Sequence, residues 1–202
     1  MVGEMARDPD KFSMEGESRE AGLEMHQTLR DLRPQFKARN WPEIRMGVGL
    51  NTGRMSVGNM GSEIRLAYTV MGNAASRLEG ITKEYGADII VGEGTRDAVC
   101  DVVLREVDRV RVKGKDVAVA IFEPLGLEGQ VDKAKLDEME LYHQALKLNR
   151  SQDWHKAGLQ LLDLQKMLPD SKLYKTFIQR IMFLRANPPG LDRDGAFTFE
   201  TK

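Results

Sequence analysis

The sequence has little of what secreted or membrane-spanning proteins need. Its 202 residues include one cysteine, Cys100, which excludes an internal disulfide framework and a multi-cysteine zinc cluster and fits a reducing cytosol. The longest apolar runs, such as residues 117–122, are far shorter than the ~20 residues that span a bilayer. The N-terminal residues contain no apolar signal core. We therefore expect a cytoplasmic chain without a membrane segment.

A strong net charge is absent too. Thirty Lys and Arg residues balance thirty-one Asp and Glu residues, giving a net charge of -1. No overall basic field attracts nucleic acid, so we expect no nucleic-acid partner. Hydrophobic residues make up 41% of the chain, which is enough to bury a core. The length suits one ordinary domain with a helical appendage.

The first two thirds of the chain mix helical and strand patterns. Residues 1–18 are polar and carry turn residues, so we predict a flexible segment there. Residues 19–39 have apolar positions at helical spacing, which predicts a helix interrupted near Pro34. In residues 43–51 the apolar side chains alternate strictly, which is typical of a strand with one buried face.

The pattern continues with a turn at residues 59–62 and with short strands, such as residues 66–71. A helix follows over residues 73–85, with Leu78, Ile81 and Tyr85 on one face. Asn73 is a plausible N-cap for this helix, and Gly86 is its expected end. Two alternating segments around residues 113–116 predict a hairpin. Residues 19–127 therefore predict an α+β fold, a ferredoxin-like sandwich with a mainly antiparallel sheet.

Residues 128–202 return to helical spacing. They predict three helices, over residues 133–149, 154–167 and 173–185. Part of the pattern resembles a tetratricopeptide hairpin, but one copy is fewer than the three or so that a solenoid needs. Because a helical hairpin buries too little to be stable alone, we expect this extension to pack against the α+β domain or a partner.

Five short motifs between the first helix and the extension follow one another in a characteristic order. They are Arg45-Met-Gly-Val-Gly-Leu-Asn-Thr-Gly53, Val57-Gly-Asn-Met-Gly-Ser62, Tyr68-Thr-Val-Met-Gly72, Ala75-Ser-Arg-Leu-Glu79 and Val110-Arg-Val-Lys-Gly-Lys115. In this order and at these spacings, residues 20–124 resemble the class III adenylyl and guanylyl cyclase catalytic domain. The tail, with Asp153-Trp154 and Pro188-Pro189, resembles the C-terminal extension of bacterial cyclases that carry a sensor domain.

The resemblance implies an activity, a cofactor and a partner. Members of the family convert a nucleoside triphosphate, here ATP, to a 3′,5′-cyclic nucleotide and pyrophosphate. The active site lies between two catalytic domains, so the implied assembly is a homodimer, or a heterodimer with an intact cyclase domain. One domain supplies two aspartates that hold two divalent ions, Mg²⁺ or Mn²⁺. The other supplies an asparagine that orients the ribose and an arginine that stabilises transition-state charge.

The resemblance assigns four residues of this sequence. The family's asparagine corresponds to Asn73 and its arginine to Arg77, which lie four residues apart and so on one helix face. Thr69 corresponds to the base-reading position and resembles the ATP-using bacterial subgroup, although it separates ATP from GTP only weakly. Lys113 corresponds to a lysine that contacts the triphosphate. Each also has a purely structural interpretation: a helix cap, a solvated helix arginine, a strand threonine and a hairpin tip.

The sequence departs from the family before Arg19. The aspartate-bearing pattern Phe-x-Asp-Ile-x-x-Phe and the hairpin pattern Lys-x-x-Gly-Asp are both missing from these 202 residues. Asp8 and Asp10 lie in a polar run without strand character, so we assign no metal ligand. We interpret the chain as an N-terminally truncated cyclase domain, and we expect it to be inactive alone.

A second departure lies beside Asn73. Three residues that the family has between its glycine and its asparagine are missing after Gly72. A gap before Asn73 keeps its spacing to Arg77, whereas the other placement removes the ribose contact. Two functions stay open: an adenylate cyclase domain, or a non-catalytic cyclase-like module that dimerises or binds partners through its helices.

Overall fold

The computed structural model describes residues 14–53, 56–62, 65–71, 74–111, 117–190 and 193–199. Within these residues, the first two thirds contain three helices and six strands, and three helices and a short strand follow. The elements are α1 (Met14–Ala38), β1 (Val48–Leu50), β2 (Ser56–Ser62), β3 (Arg65–Met71), α2 (Ala74–Tyr85), β4 (Ile89–Gly92), α3 (Glu93–Ala98), β5 (Val102–Arg111), β6 (Val119–Leu127), α4 (Lys133–Arg150), α5 (Trp154–Met167), α6 (Lys172–Ala186) and β7 (Phe197–Thr198). In the part of the chain described, no helix combines the length and the apolar character required to cross a membrane.

A five-stranded mixed sheet organises the fold. Its order is β1-β4-β6-β5-β7. The outer pairs β1–β4 and β5–β7 are parallel, whereas the central pairs β4–β6 and β5–β6 are antiparallel. Strands β2 and β3 form a separate antiparallel hairpin. The predicted α+β class is confirmed, with a main sheet that is mixed.

Both faces of the sheet are covered. On one face, β-strand residues such as Ile90 and Val107 share a cluster with α2 and with α4–α6. On the other face, Ile89 and Val91 contact the region of α1 around Leu23. Because strand side chains alternate in direction, neighbouring residues of β4 pack into the clusters on opposite faces of the sheet.

The helical extension and the sheet form one hydrophobic core. Tyr142 of α4 and Phe177 of α6 are fully buried in the same cluster as Ile121 of β6. The Tyr142 hydroxyl donates a 2.6 Å hydrogen bond to the Val107 carbonyl oxygen. The extension therefore packs against the α+β part, as expected for helices that bury too little alone.

Helix α1 differs from the prediction at its start and in its middle. It begins at Met14, inside the segment 1–18 that we predicted to be flexible; residues 1–13 lie outside the described residues. It also continues through Pro34 without interruption. Pro34 is exposed, so water can bond the carbonyl that loses its helical partner.

The predicted strand over residues 43–51 is shorter in the structure. Strand β1 covers Val48–Leu50, because its neighbour β4 is short and pairs only from Ile89 to Val91. The predicted turn at residues 59–62 was wrong, since β2 runs to Ser62 and pairs with β3 throughout. Alternation locates a strand, but the length of its neighbour sets its ends.

One glycine on β1 and another just before it allow α2 to lie directly against this part of the chain. An added Cβ at Gly49 would collide with the Ala75 carbonyl oxygen and with the Glu79 amide nitrogen. At Gly47 it would collide with the Thr82 hydroxyl. The glycines of the first motif thus set the distance between β1 and α2, and hence the position of every side chain on α2.

We expect Gly49→Ala to lower the free energy of unfolding by about 1–3 kcal/mol, since neither contacted backbone atom can turn aside. The matched control is Gly80→Ala. Gly80 lies on the exposed side of α2, and nothing lies within 4 Å of a Cβ added there. This substitution should raise stability by about 0.5–1 kcal/mol through helix propensity. Urea unfolding followed by circular dichroism measures both, and equal effects of the two substitutions would contradict the close contact.

Candidate functional site

Helix α2 places the candidate arginine. Leu78, Ile81 and Tyr85 form its buried face, as the sequence predicted, and Arg77 precedes Leu78 as a half-buried residue in the first turn. Helix N-termini carry a partial positive charge, which adds to that of the guanidinium. A planar group with five donors at this end of a helix is suited to an oxyanion such as a phosphate.

The structure describes the other three predicted site residues less fully. Thr69 lies on β3, where its backbone pairs with that of Gly58 on β2. Asn73 and Lys113 lie outside the described residues. Arg77 is therefore the candidate whose side chain the structure places. The roles of all four remain predictions.

A buried polar network holds the C-terminal end of α2. The Tyr85 hydroxyl donates a 2.5 Å hydrogen bond to Asp108 of β5. Arg180 of α6 donates to the same carboxylate at 2.5 Å and to the Tyr85 oxygen at 3.1 Å. Burial raises the pKa of Asp108, although Arg180 and Tyr85 oppose the rise. The pKa of Tyr85 is raised by burial and by Asp108, so Tyr85 remains a protonated donor.

A second network joins the sheet to the extension. Arg105 of β5 forms ion pairs with Glu123 and, at 2.9 Å, with Glu138 of α4. The hydroxyl of Tyr174 donates to Glu138. Although burial opposes the change, hydrogen bonds from Lys135 and Tyr174 lower the pKa of Glu138. A charged pair at this depth is stable only because each partner is bonded on several sides.

Three curated proteins named adenylate cyclase are similar to this chain in sequence. The terminal-differentiation specific adenylate cyclase of Dictyostelium discoideum is 31% identical over 147 residues, or 68% of this chain. The Anabaena cylindrica enzyme is 42% identical over 89 residues, or 41% of this chain. Adenylate cyclase 1 of Rhizobium meliloti is 34% identical over 109 residues, or 52% of this chain. The matched part of this chain is thus similar in sequence to adenylate cyclases, in agreement with the motifs.

The match covers a small part of those relatives: 7%, 18% and 16% of their lengths in the same order. No protein-family model matches the chain. Among solved structures, the guanylyl cyclase Cya2 shares 30% identity over 54% of this chain and 56% of its own, with a TM-score of 0.44. The adenylyl cyclase CyaB from P. aeruginosa shares 26% identity over 55% of this chain and 58% of its own, also with a TM-score of 0.44.

The divalent ions that the resemblance implies need several oxygen ligands placed close together. Among the residues that the structure describes, no three His, Cys, Asp or Glu side chains lie close enough together to bind a metal ion. Glu123 and Glu138, which share one neighbour, are both paired with the guanidinium of Arg105. The described donor set does not fit two divalent ions.

A cavity of about 200 Å³ lies between the end of α2 and the start of α6. Its lining includes Gly86, Arg105 and Lys172. Arg77 is not among the lining residues, because it lies two turns away at the other end of α2. The cavity therefore belongs to the contact between the cyclase part and its extension rather than to the candidate catalytic residues.

The sequence analysis missed the charged residues that hold α2 and the extension together. Arg105 and Asp108 stand in an alternating strand among other charges, where each looks like an ordinary solvent-facing residue. The one available signal was the density of charge in β5, which is unusual for a central strand. Only the packing of α4 and α6 shows which of these charges are buried.

Proposed function

We propose that this chain provides half of an adenylate cyclase active site, which converts ATP to 3′,5′-cyclic AMP and pyrophosphate at an interface between two catalytic domains. The sequence identity with three proteins named adenylate cyclase carries the proposal. The half-buried guanidinium at the start of α2 supports it. The reaction would take place in the cytoplasm as part of intracellular signalling.

In this proposal the chain contributes binding and charge stabilisation. Asn73 orients the ribose, and Arg77 stabilises the negative charge that builds on the phosphorus as the 3′-oxygen attacks. Thr69 contacts the adenine and Lys113 the triphosphate. In the assembled dimer the partner domain would supply the aspartates and with them Mg²⁺ or Mn²⁺, the cofactor that the resemblance implies.

A second candidate function rests on the short connection after Gly72. If the shorter connection holds Asn73 away from the ribose, the chain is a non-catalytic module that dimerises with an intact cyclase. Both functions predict that the chain forms a heterodimer with a cyclase domain, and they differ in whether that site makes cyclic AMP. Only the catalytic one yields cyclic AMP from a site completed by this chain.

The first test uses the purified chain alone with MgATP and MnATP over a wide range of protein concentrations. We expect no cyclic AMP, because the family's metal aspartates have no counterpart in these residues. A control reaction contains an intact adenylate cyclase domain at the same concentration. Turnover proportional to the amount of this chain would contradict the expectation.

The decisive test is complementation. The chain is mixed with an adenylate cyclase domain that keeps its aspartates but has lost its own asparagine and arginine. Because each domain supplies what the other lacks, we expect cyclic AMP from the mixture and none from either component. A heterodimer seen by native mass spectrometry without any cyclic AMP would favour the non-catalytic module.

A further inference from the structure

One face of α6 holds the C-terminal end of α2. Lys172, Thr176 and Arg180 follow one another at four-residue spacing, which puts them on a single helix face. Thr176 Oγ1 donates to the Glu84 carbonyl oxygen at 3.3 Å, and the Lys172 ammonium donates to the Lys83 carbonyl oxygen. Arg180 donates to the Tyr85 hydroxyl at 3.1 Å. We call these three residues the α6 stripe.

The contacts of the α6 stripe meet the needs of a helix end. The last carbonyls of a helix lack intrahelical donors, and the C-terminal end favours nearby cations. Two of the three stripe residues are cationic, and two donate directly to such carbonyls. Lys172 also packs closely against Gly86, since a Cβ added at Gly86 would lie 2.7 Å from the Cβ of Lys172.

The other attachment of α2 lies near its opposite end. There the helix backbone rests on Gly49 of β1, which fixes its distance from the sheet. The bond from the Tyr85 hydroxyl to Asp108 joins its last turn directly to β5, and Arg180 of α6 donates to the same carboxylate. A 12-residue helix is about 18 Å long and behaves as a rigid rod, so its end fixes the orientation of its first turn, where Arg77 lies.

We propose that the α6 stripe consists of positioning residues for Arg77, so that the helical extension controls the cyclase site through the orientation of α2. The catalytic part of this inference rests on the proposed function. Movement of α6, for example when a partner binds the extension, then reaches Arg77 through one rigid helix. A displacement of even ~1 Å at a reacting group can cost ~100-fold in rate.

The test compares Lys172→Met/Thr176→Val with Lys175→Met, which alters an exposed lysine on the same helix. Amide hydrogen exchange is measured on the full chain, and kcat and KM are measured in the complemented heterodimer. For the stripe variant we expect amide exchange in α2 to be about ten-fold faster, because the contacts that hold the end of α2 are lost. Exchange in α5 should stay unchanged, since a local opening depends on the contacts of the segment that opens. We also expect kcat to fall about ten-fold or more while the KM for ATP changes less than about two-fold.

Rescue separates positioning from general destabilisation. Lys172→Arg/Thr176→Ser keeps a cation and a hydroxyl donor at both positions, so it should restore slow α2 exchange and most of kcat. Equal α2 exchange in the stripe variant and in Lys175→Met would overturn the proposal, as would faster exchange with unchanged kcat. If the unmodified heterodimer makes no cyclic AMP, the proposed function fails, and the exchange data still decide whether α6 orders α2.

Discussion

Arg105→Met is expected to lower the free energy of unfolding by about 3–5 kcal/mol at neutral pH, because it removes the cation that the carboxylates of Glu123 and Glu138 share. Arg105 and Glu138 have side chains only 9% and 4% exposed. Urea unfolding at pH 7 measures the loss.

Two further variants keep this prediction decisive. Lys166→Met removes a cation from an ion pair whose side chains are 77% and 72% exposed, and it should cost less than about 0.5 kcal/mol. Arg105→Met/Glu138→Gln should recover part of the loss, since one buried charge disappears together with its partner. A similar loss for Arg105→Met and Lys166→Met would show that the buried ion pair contributes no more to stability than the exposed one.

The loss of unfolding free energy caused by Arg105→Met should become smaller in acid. The folded-state pKa of Glu138 is below its ordinary value, since the bonds from Lys135 and Tyr174 and the charge of Arg105 outweigh burial. Such a group contributes stability above the unfolded pKa and loses it as the pH falls through the folded pKa. The difference between the native chain and Arg105→Met should therefore shrink below about pH 4. A difference that grows on acidification would contradict this origin.

Arg77→Ala is expected to reduce kcat of the complemented heterodimer about 100- to 1,000-fold, which is typical for removing one donor to a developing oxyanion. KM for ATP should change much less, because the guanidinium acts on charge that is present only in the transition state. Arg77→Lys should also lose most of the activity, since an ammonium lacks the planar fork of donors.

The matched control is Arg109→Ala, which removes an exposed arginine side chain from β5. It should leave kcat within about two-fold, because exposed substitutions away from a site have small effects. Both variants should form the heterodimer equally well by native mass spectrometry. If Arg77→Ala retains full kcat, Arg77 has only its structural role on α2.

Periodicity predicted the helices well where a single face is buried. The buried positions of α2 were predicted from their spacing and are confirmed. Helices α4, α5 and α6 begin and end within about one residue of the predicted bounds, in line with the normal uncertainty of helix ends. These segments carry their own start and stop signals, such as Ser171, which accepts the Tyr174 N–H as an N-cap.

Strand limits and interruptions were predicted less well. The ends of β1 and β2 depend on which partner strand lies beside them, and α1 continues through Pro34 because its proline faces solvent. The motif Arg45–Gly53 was recognised as family-like, but its glycines look like turn residues in the sequence. Only the packing shows that Gly49 accommodates the backbone of α2.

The amino-acid sequence by itself determined the α+β class, the three-helix extension, the family resemblance and the four candidate residues. Each of these follows from local periodicity or from short motifs, which are properties of neighbouring residues. The tertiary structure alone decided which charges of β5 are buried and that α6 holds the end of α2. Those features join residues such as Glu84 and Thr176, which lie 92 positions apart, and no local pattern encodes a contact between residues so distant in the chain.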